Sequence, residues 1–293
     1  MQPIISIIIN FYNMRREAAR TLYSLSTSYQ RGVSADDYEI IAIDNGSTEP
    51  LDPDWVCSQG KNIHYLYYPL KHPSPCAAIN HAVHTMARGK YVCICIDGAR
   101  ILSPGILFYM LAAIRAFPHS FTYTVGMHIG HEVQNKLVEK GYDQHQEDKL
   151  INTVDWQKNG YELFKISSFA YSSRQGFFGV MHESNCFALE KNTYQSMGGY
   201  NERFISKGGG ICNHDLFNRA QQVKDIAPIR LLGEATFHQF HGGVATNVKL
   251  DAAHPYNEFC KEYKNIYGTE YKLFYREPCF IGDIQSTKFF IPN

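Results

Sequence analysis

The stretch that decides the fold is GKYVCICIDGAR, residues 89–100. A short apolar run from Tyr91 to Ile96 is opened by a glycine and cut off by Asp97, with Gly98 directly behind it. An apolar run of this length bounded by turn residues predicts a strand buried on both faces of a sheet. The carboxyl ends of strands in open α/β sheets are where ligands bind, which makes Asp97 the first candidate functional residue.

The pattern extends in both directions. Residues 4–9 form a β-branched run that predicts a first strand, and residues 14–29 space Ala18, Leu22 and Leu25 along one helical face. Residues 38–43 predict a second strand, closed by the turn-forming Asp44-Asn45-Gly46-Ser47. Residues 63–67 predict a third. Ser74-Pro75 is a helix start, with the helix running to about residue 88. Strand and helix alternate through the first hundred residues, which implies right-handed crossovers and a mostly parallel sheet. Ser103-Pro104 reads as the cap of a further helix striped by Leu107, Leu111 and Ile114, and residues 121–129 as another strand. Polar residues 131–169 interrupt the alternation, with a helix expected over 144–156. Strand character returns at 179–190. Gly208-Gly209-Gly210 reads as a flexible loop, Asn213 as the cap of a helix, residues 229–232 as the last strand, and Tyr256 to Tyr267 as an amphipathic C-terminal helix.

Lys plus Arg and Asp plus Glu are both 28, so the chain has no long-range charge with which to attract nucleic acid. A hydrophobic content of 44% suffices for a full core in 293 residues. None of the eight cysteines forms a Cys-x-x-Cys pair, which argues against a zinc ribbon or a thioredoxin-type site. No basic, cleavable leader precedes the first strand. No apolar run approaches the ~20 residues of a membrane span. The expected location is therefore the cytoplasm, with membrane contact limited to peripheral association at its inner face.

Taken in order, four segments resemble family 2 glycosyltransferases of the nucleotide-diphospho-sugar (GT-A) fold. They are SIIINFYNM (6–14), EIIAIDNGST (39–48), AAINHAVHTMARGKYVCICIDGAR (77–100) and the pair FALEKNTYQSMGGYNERF (187–204) with NHDLFNRA (213–220). The resemblance implies an α/β, Rossmann-like central sheet flanked by helices. It divides residues 1–245 into a nucleotide-binding half, about 1–100, and an acceptor half, about 101–245. The acceptor half carries an insertion at 130–176, and residues 246–293 form a C-terminal extension packed on the same domain.

The implied activity is inverting transfer of a sugar from a nucleotide-diphosphate donor, a UDP-sugar, to a hydroxyl of a glycan or lipid-linked acceptor in surface polysaccharide assembly. Asn10, Tyr12, Asp44, Asp97 and Arg100 are the implied nucleotide-side residues, with Lys71 within reach of a phosphate or simply solvated. Asp215 is the implied general base, because a weakly acidic sugar hydroxyl needs a carboxylate to take its proton. His214 stands where the family often has an acid and is assigned to the acceptor. The family's Asp-x-Asp motif is incomplete here, with Ala99 in place of the second carboxylate. Two alternatives follow. A divalent metal, Mn²⁺ or Mg²⁺, is held by Asp97 with His238 and His241, a donor set that favours Mn²⁺; or Arg100 neutralises the diphosphate without a metal. A non-catalytic nucleotide- or glycan-binding module and a retaining transferase on the same fold are the rival readings.

Overall fold

The computed structural model describes residues 2–69, 71–251 and 253–284. Residues 285–293 of the expected C-terminal extension lie outside the described residues. The elements run β1 (Ile5–Phe11), α1 (Arg15–Ser24), β2 (Tyr38–Asp44), α2 (Pro53–Ser58), β3 (Ile63–Tyr67), α3 (Cys76–Thr85), β4 (Tyr91–Cys95), β5 (Arg100–Leu102), α4 (Ile106–Ala116) and β6 (Ser120–Ile129). They continue with α5 (Gln134–Glu139), α6 (Gln144–Ile151), β7 (Ser167–Phe169), β8 (Phe187–Glu190), α7 (Lys191–Ser196), α8 (Cys212–Gln222), β9 (Ala227–His238), α9 (Tyr256–Tyr267) and β10 (Cys279–Gly282).

One twisted sheet in the order β10-β9-β6-β8-β4-β1-β2-β3 forms the middle layer. β4, β1, β2 and β3 are parallel, as strand–helix alternation requires. β8 runs antiparallel between β4 and β6, so the sheet is mixed beyond β4. Every residue of β1 and β2 is buried. Their side chains alternate between two cores: Ile7 and Ile9 join Ala18, Leu22 and Leu107 on one face, while Ile8 joins Ile79, Val83 and Phe217 on the other. Helices α1 and α4 therefore cover one face, and α3 and α8 the other.

Several boundaries differ from expectation for local reasons. α1 stops at Ser24, whose hydroxyl donates to Thr21 O and whose carbonyl accepts from the buried Gln30 Nε2, so polar side chains replace the next helical turn. Ser103 does not cap α4; its hydroxyl is bonded to Glu234, and α4 starts two residues beyond Pro104. Of the expected strand at 179–190 only β8 forms, and 179–186 is a loop. β9 is twelve residues long rather than the four expected. The sequence signal was lost at Gly233 and Glu234, where φ of +74° at Gly233 and a register shift against β6 break the apolar pattern without ending the strand. The extra length carries His238 to the rim of the sheet. On the other edge of β9, β10 adds a parallel strand that the sequence reading did not foresee. Among the described residues no helix is long and apolar enough to cross a membrane.

Glu234 is fully buried beneath the β9 irregularity. It accepts hydrogen bonds from Ser103 Oγ, Tyr161 Oη at 2.7 Å and Gly105 N at 3.1 Å. Burial pushes its carboxyl up from 4.5 to about 7 against the pull of those donors. A raised carboxyl stabilises the fold fully below its unfolded value and loses that contribution as pH rises through the folded one. This site should therefore cost about 3 kcal/mol between pH 4.5 and 7. Glu234→Gln should flatten that part of the Tm–pH profile; a slope equal to the parent's would rule the site out as its source.

Candidate active site

The site begins with the turn after β4. Gly98 N donates to Asn10 O at 2.8 Å, and Thr21 Oγ1 donates to Gly98 O at 2.6 Å, so the turn is clamped against β1 and α1. A Cβ on Gly98 would lie 2.3 Å from the Phe11 ring, which only glycine avoids. Asp97 Oδ1 accepts from Ala99 N at 3.0 Å, fixing the carboxylate at the rim. Ala99 is fully buried in the core shared with α1 and α4. The second carboxylate of an Asp-x-Asp motif would enter an apolar core at this position, where an unpaired charge is expensive.

Two histidines, at the end of β9 and three residues beyond it, face Asp97. β5 pairs antiparallel with β9, setting Arg100 opposite His238. His238 Nε2 stands 3.0 Å from Asp97 Oδ2, and His241 Nε2 stands 3.7 Å from Asp97 Oδ1 and 3.2 Å from His238 Nε2. The three donor atoms all lie within 4.8 Å of one another. His238 Nδ1 is bonded to Gln134 Oε1 at 2.7 Å, which turns Nε2 toward Asp97. Gln134 comes from α5, in the 130–176 insertion. The same Gln134 oxygen accepts from Asn247 Nδ2 at 2.8 Å. Asn247 Oδ1 in turn accepts the backbone N–H groups of His241, Gly242 and Gly243 at 2.9–3.1 Å. Glu147 of α6 accepts Phe240 N at 2.6 Å. Gln134 and Glu147 thus hold the histidine loop in place, a role that no local pattern marks.

Burial pushes the Asp97 carboxyl up, but His241, His238 and Arg100 outweigh it and hold it well below the usual carboxylate range. Burial drives His238 down to about 4 despite Asp97 beside it, leaving a neutral imidazole with a lone pair to offer. Arg100 Nε lies 3.5 Å from Asp97 Oδ2, buried against the same carboxylate.

These groups open on a cavity of about 340 Å³ at the carboxyl ends of β1, β2 and β4. Asn10, Tyr12, Asp97, Arg100 and His241 line it, together with Asn45, Asn213, Glu183 and the loop at 207–210. Asn10 Oδ1 is buried without a hydrogen-bond partner among the described residues. A second cavity of about 610 Å³ adjoins it, sharing Arg100, Glu183, Asn185, Ala245 and Thr246, and His214 lies on its wall.

Two of the expected carboxylates line neither cavity. Asp44 is fully buried, and its oxygens accept Ser47 N at 2.9 Å and Leu51 N at 2.8 Å. It is an Asx-turn residue that shapes the loop under Asn45 and has no exposed edge for a base or ribose. Asp215, the expected base, is 3% exposed and ion-paired to Arg219 at 2.8 Å. Arg219 also donates to Met197 O and Gly199 O, so the pair holds the 197–199 turn on the far side of α8. The helix begins at Cys212 rather than after a capping Asn213; within it Asn213 lines the cavity and Asp215, two residues on, faces the other way. The expected convergence of Asp44, Asp97 and Asp215 on one crevice therefore fails for two of the three. Lys71 is exposed and does not line the cavity. Glu183, Asn185, Gln134 and Asn247 were not foreseen; each sits in a loop or short helix without periodicity to mark it.

The family model for glycosyl transferase family 2 matches residues 6–193. The chain belongs to that family. No curated protein matches the sequence. Among solved structures, S. aureus TarS 1–349 aligns with a TM-score of 0.51 at 12% identity, covering 90% of this chain and 72% of that one. The same fragment in complex with UDP-GlcNAc gives 0.54 at 10% identity, covering 89% and 66%. A longer TarS chain gives 0.54 at 12%, with 44% of its length covered. At these identities the likeness is one of fold, a GT-A glycosyltransferase architecture.

Asp215→Asn should lower unfolding stability by about 1.5–3 kcal/mol, because it leaves the Arg219 guanidinium without its charged partner. A urea midpoint and slope indistinguishable from the parent's would show that the pair contributes nothing.

Proposed function

We propose that this family 2 glycosyltransferase takes a UDP-sugar in the cavity at the end of β4 and moves its sugar, with inversion, to a hydroxyl of a glycan or lipid-linked acceptor. Surface polysaccharide assembly in the cytoplasm is the setting the family resemblance suggests. The observation that carries the reading is the convergence of Asp97, His238 and His241 beside a cavity that also holds an unpartnered Asn10 oxygen. UDP and UDP-GlcNAc are named in complexes of TarS, and they supply the donor class proposed here.

The donor set fits a divalent cation: one carboxylate kept ionised and two imidazoles, one of them fixed by its bond to Gln134. Imidazole together with carboxylate oxygen suits Mn²⁺ better than Mg²⁺. When bound, such an ion neutralises charge on the diphosphate and makes it a better leaving group. Asn10 and Tyr12, at the end of β1, line the wall assigned to the nucleoside, and Arg100 adds a fixed positive charge beneath Asp97. His214, on the wall of the adjoining cavity, is assigned to the acceptor.

A second reading rests on the position of Asp215. With that carboxylate facing Arg219, a module that binds nucleotide without transfer is the rival. UDP binding without UDP release from any of a panel of donors would favour it.

UDP with Mn²⁺ should raise Tm by a few degrees at ligand concentrations about 100-fold above Kd. His241→Ala should weaken Mn²⁺-dependent UDP binding at least about tenfold, the loss of one ligand from the set. Equal UDP affinity in EDTA and in Mn²⁺, measured calorimetrically, would instead assign the charge neutralisation to Arg100.

A further inference from the structure

With Asp215 outside the cavity, the proton of an acceptor hydroxyl needs another destination. Besides Asp97, which faces the histidines, Glu183 is the carboxylate on the cavity wall. It lies at the seam, lining both the strand-end cavity and the adjoining one. The loop that carries it, just before β8, is tied down at Ser184, whose hydroxyl donates to Thr124 O at 2.8 Å across to β6.

The side chain is held as well as placed. Asn213 Nδ2 donates to Glu183 Oε2 at 2.7 Å and to Ser184 O at 2.9 Å. Asn213 Oδ1 accepts from the buried Tyr200 hydroxyl at 2.8 Å, which fixes the amide with its nitrogen toward Glu183. Among the described residues Oε1 makes no hydrogen bond, so one carboxylate oxygen is anchored and the other is available. His214 Nδ1 is buried without a hydrogen-bond partner and lies 3.7 Å from Oε2. On the far side of the seam the adjoining cavity is walled by Tyr171 and Tyr256, which are 41% and 45% exposed, flat faces of the kind that stack on sugar rings.

We propose that Glu183 is the proton acceptor of the transfer reaction, with the acceptor saccharide in the cavity of Tyr171, His214 and Tyr256. This rests on the donor occupying the strand-end cavity as described above. In the step, the acceptor oxygen forms a bond to the anomeric carbon and its proton passes to Glu183 Oε1. The bond from the anomeric carbon to the diphosphate breaks, and its electron pair leaves with UDP. Asn213 and Tyr200 are positioning residues for that carboxylate.

The test uses the full chain with MnCl₂ and a panel of UDP-sugars that includes UDP-GlcNAc, following UDP release to water and to added oligosaccharides, with UDP affinity measured in parallel. Glu183→Gln should slow UDP release by about 10²–10⁴-fold with UDP affinity kept within about threefold. Glu183→Ala should regain part of the rate in added formate, which a purely structural role would not allow. A Glu183→Gln variant that releases UDP at the parent rate overturns the assignment. So does a parent that binds UDP but releases none from any donor, whereas a parent that does not bind UDP overturns the donor site itself.

Discussion

The contact on which the site depends is His238 Nε2 against Asp97 Oδ2, 3.0 Å apart. It joins the end of β9 to the turn after β4, two points 141 positions apart in the chain, across the face of the sheet. Asp97 by itself would be a buried carboxylate under a desolvation penalty. With His238, His241 and Arg100 around it, the ionised form is the favoured one. The carboxylate thus owes its ionised state to the groups gathered around it.

Around that contact the protein is built in shells. Gly98 admits the tight turn because no side chain fits against Phe11. Ala99 fills the apolar core where a second carboxylate would have no partner. The insertion contributes Gln134 and Glu147, which fix His238 and the 240 loop, and Asn247 gathers the backbone of residues 241–243. Polar networks of this kind are strong only when complete, since each buried donor left unpaired costs free energy. His238 ends β9 and His241 lies three residues beyond it, so both depend on this scaffold for their position.

In α8, side chains two positions apart face opposite ways. Asn213 lines the cavity, while Asp215 pairs with Arg219. From the sequence, NHDLFNRA shows only that an acid lies in the first turn of a helix. Which way it points depends on how the helix docks against the body, which no local pattern specifies. Asp44 fails for a similar reason: DNGS is a turn by composition, and an Asx turn uses the same carboxylate oxygens that a ligand would need.

What the sequence determined alone was the run of buried strands and amphipathic helices over the first hundred residues, the rim position of Asp97, and the family. Those features are local: apolar period, turn chemistry and the order of short motifs are written in contiguous residues. The tertiary structure decided that β9 continues through Gly233 to His238, that β8 lies antiparallel inside the sheet, that Glu183 rather than Asp215 faces the cavity, and that the insertion buttresses the histidines. Each of these is set by pairing or packing between segments far apart in the chain, where register and helix phase are fixed by partners that no local pattern specifies.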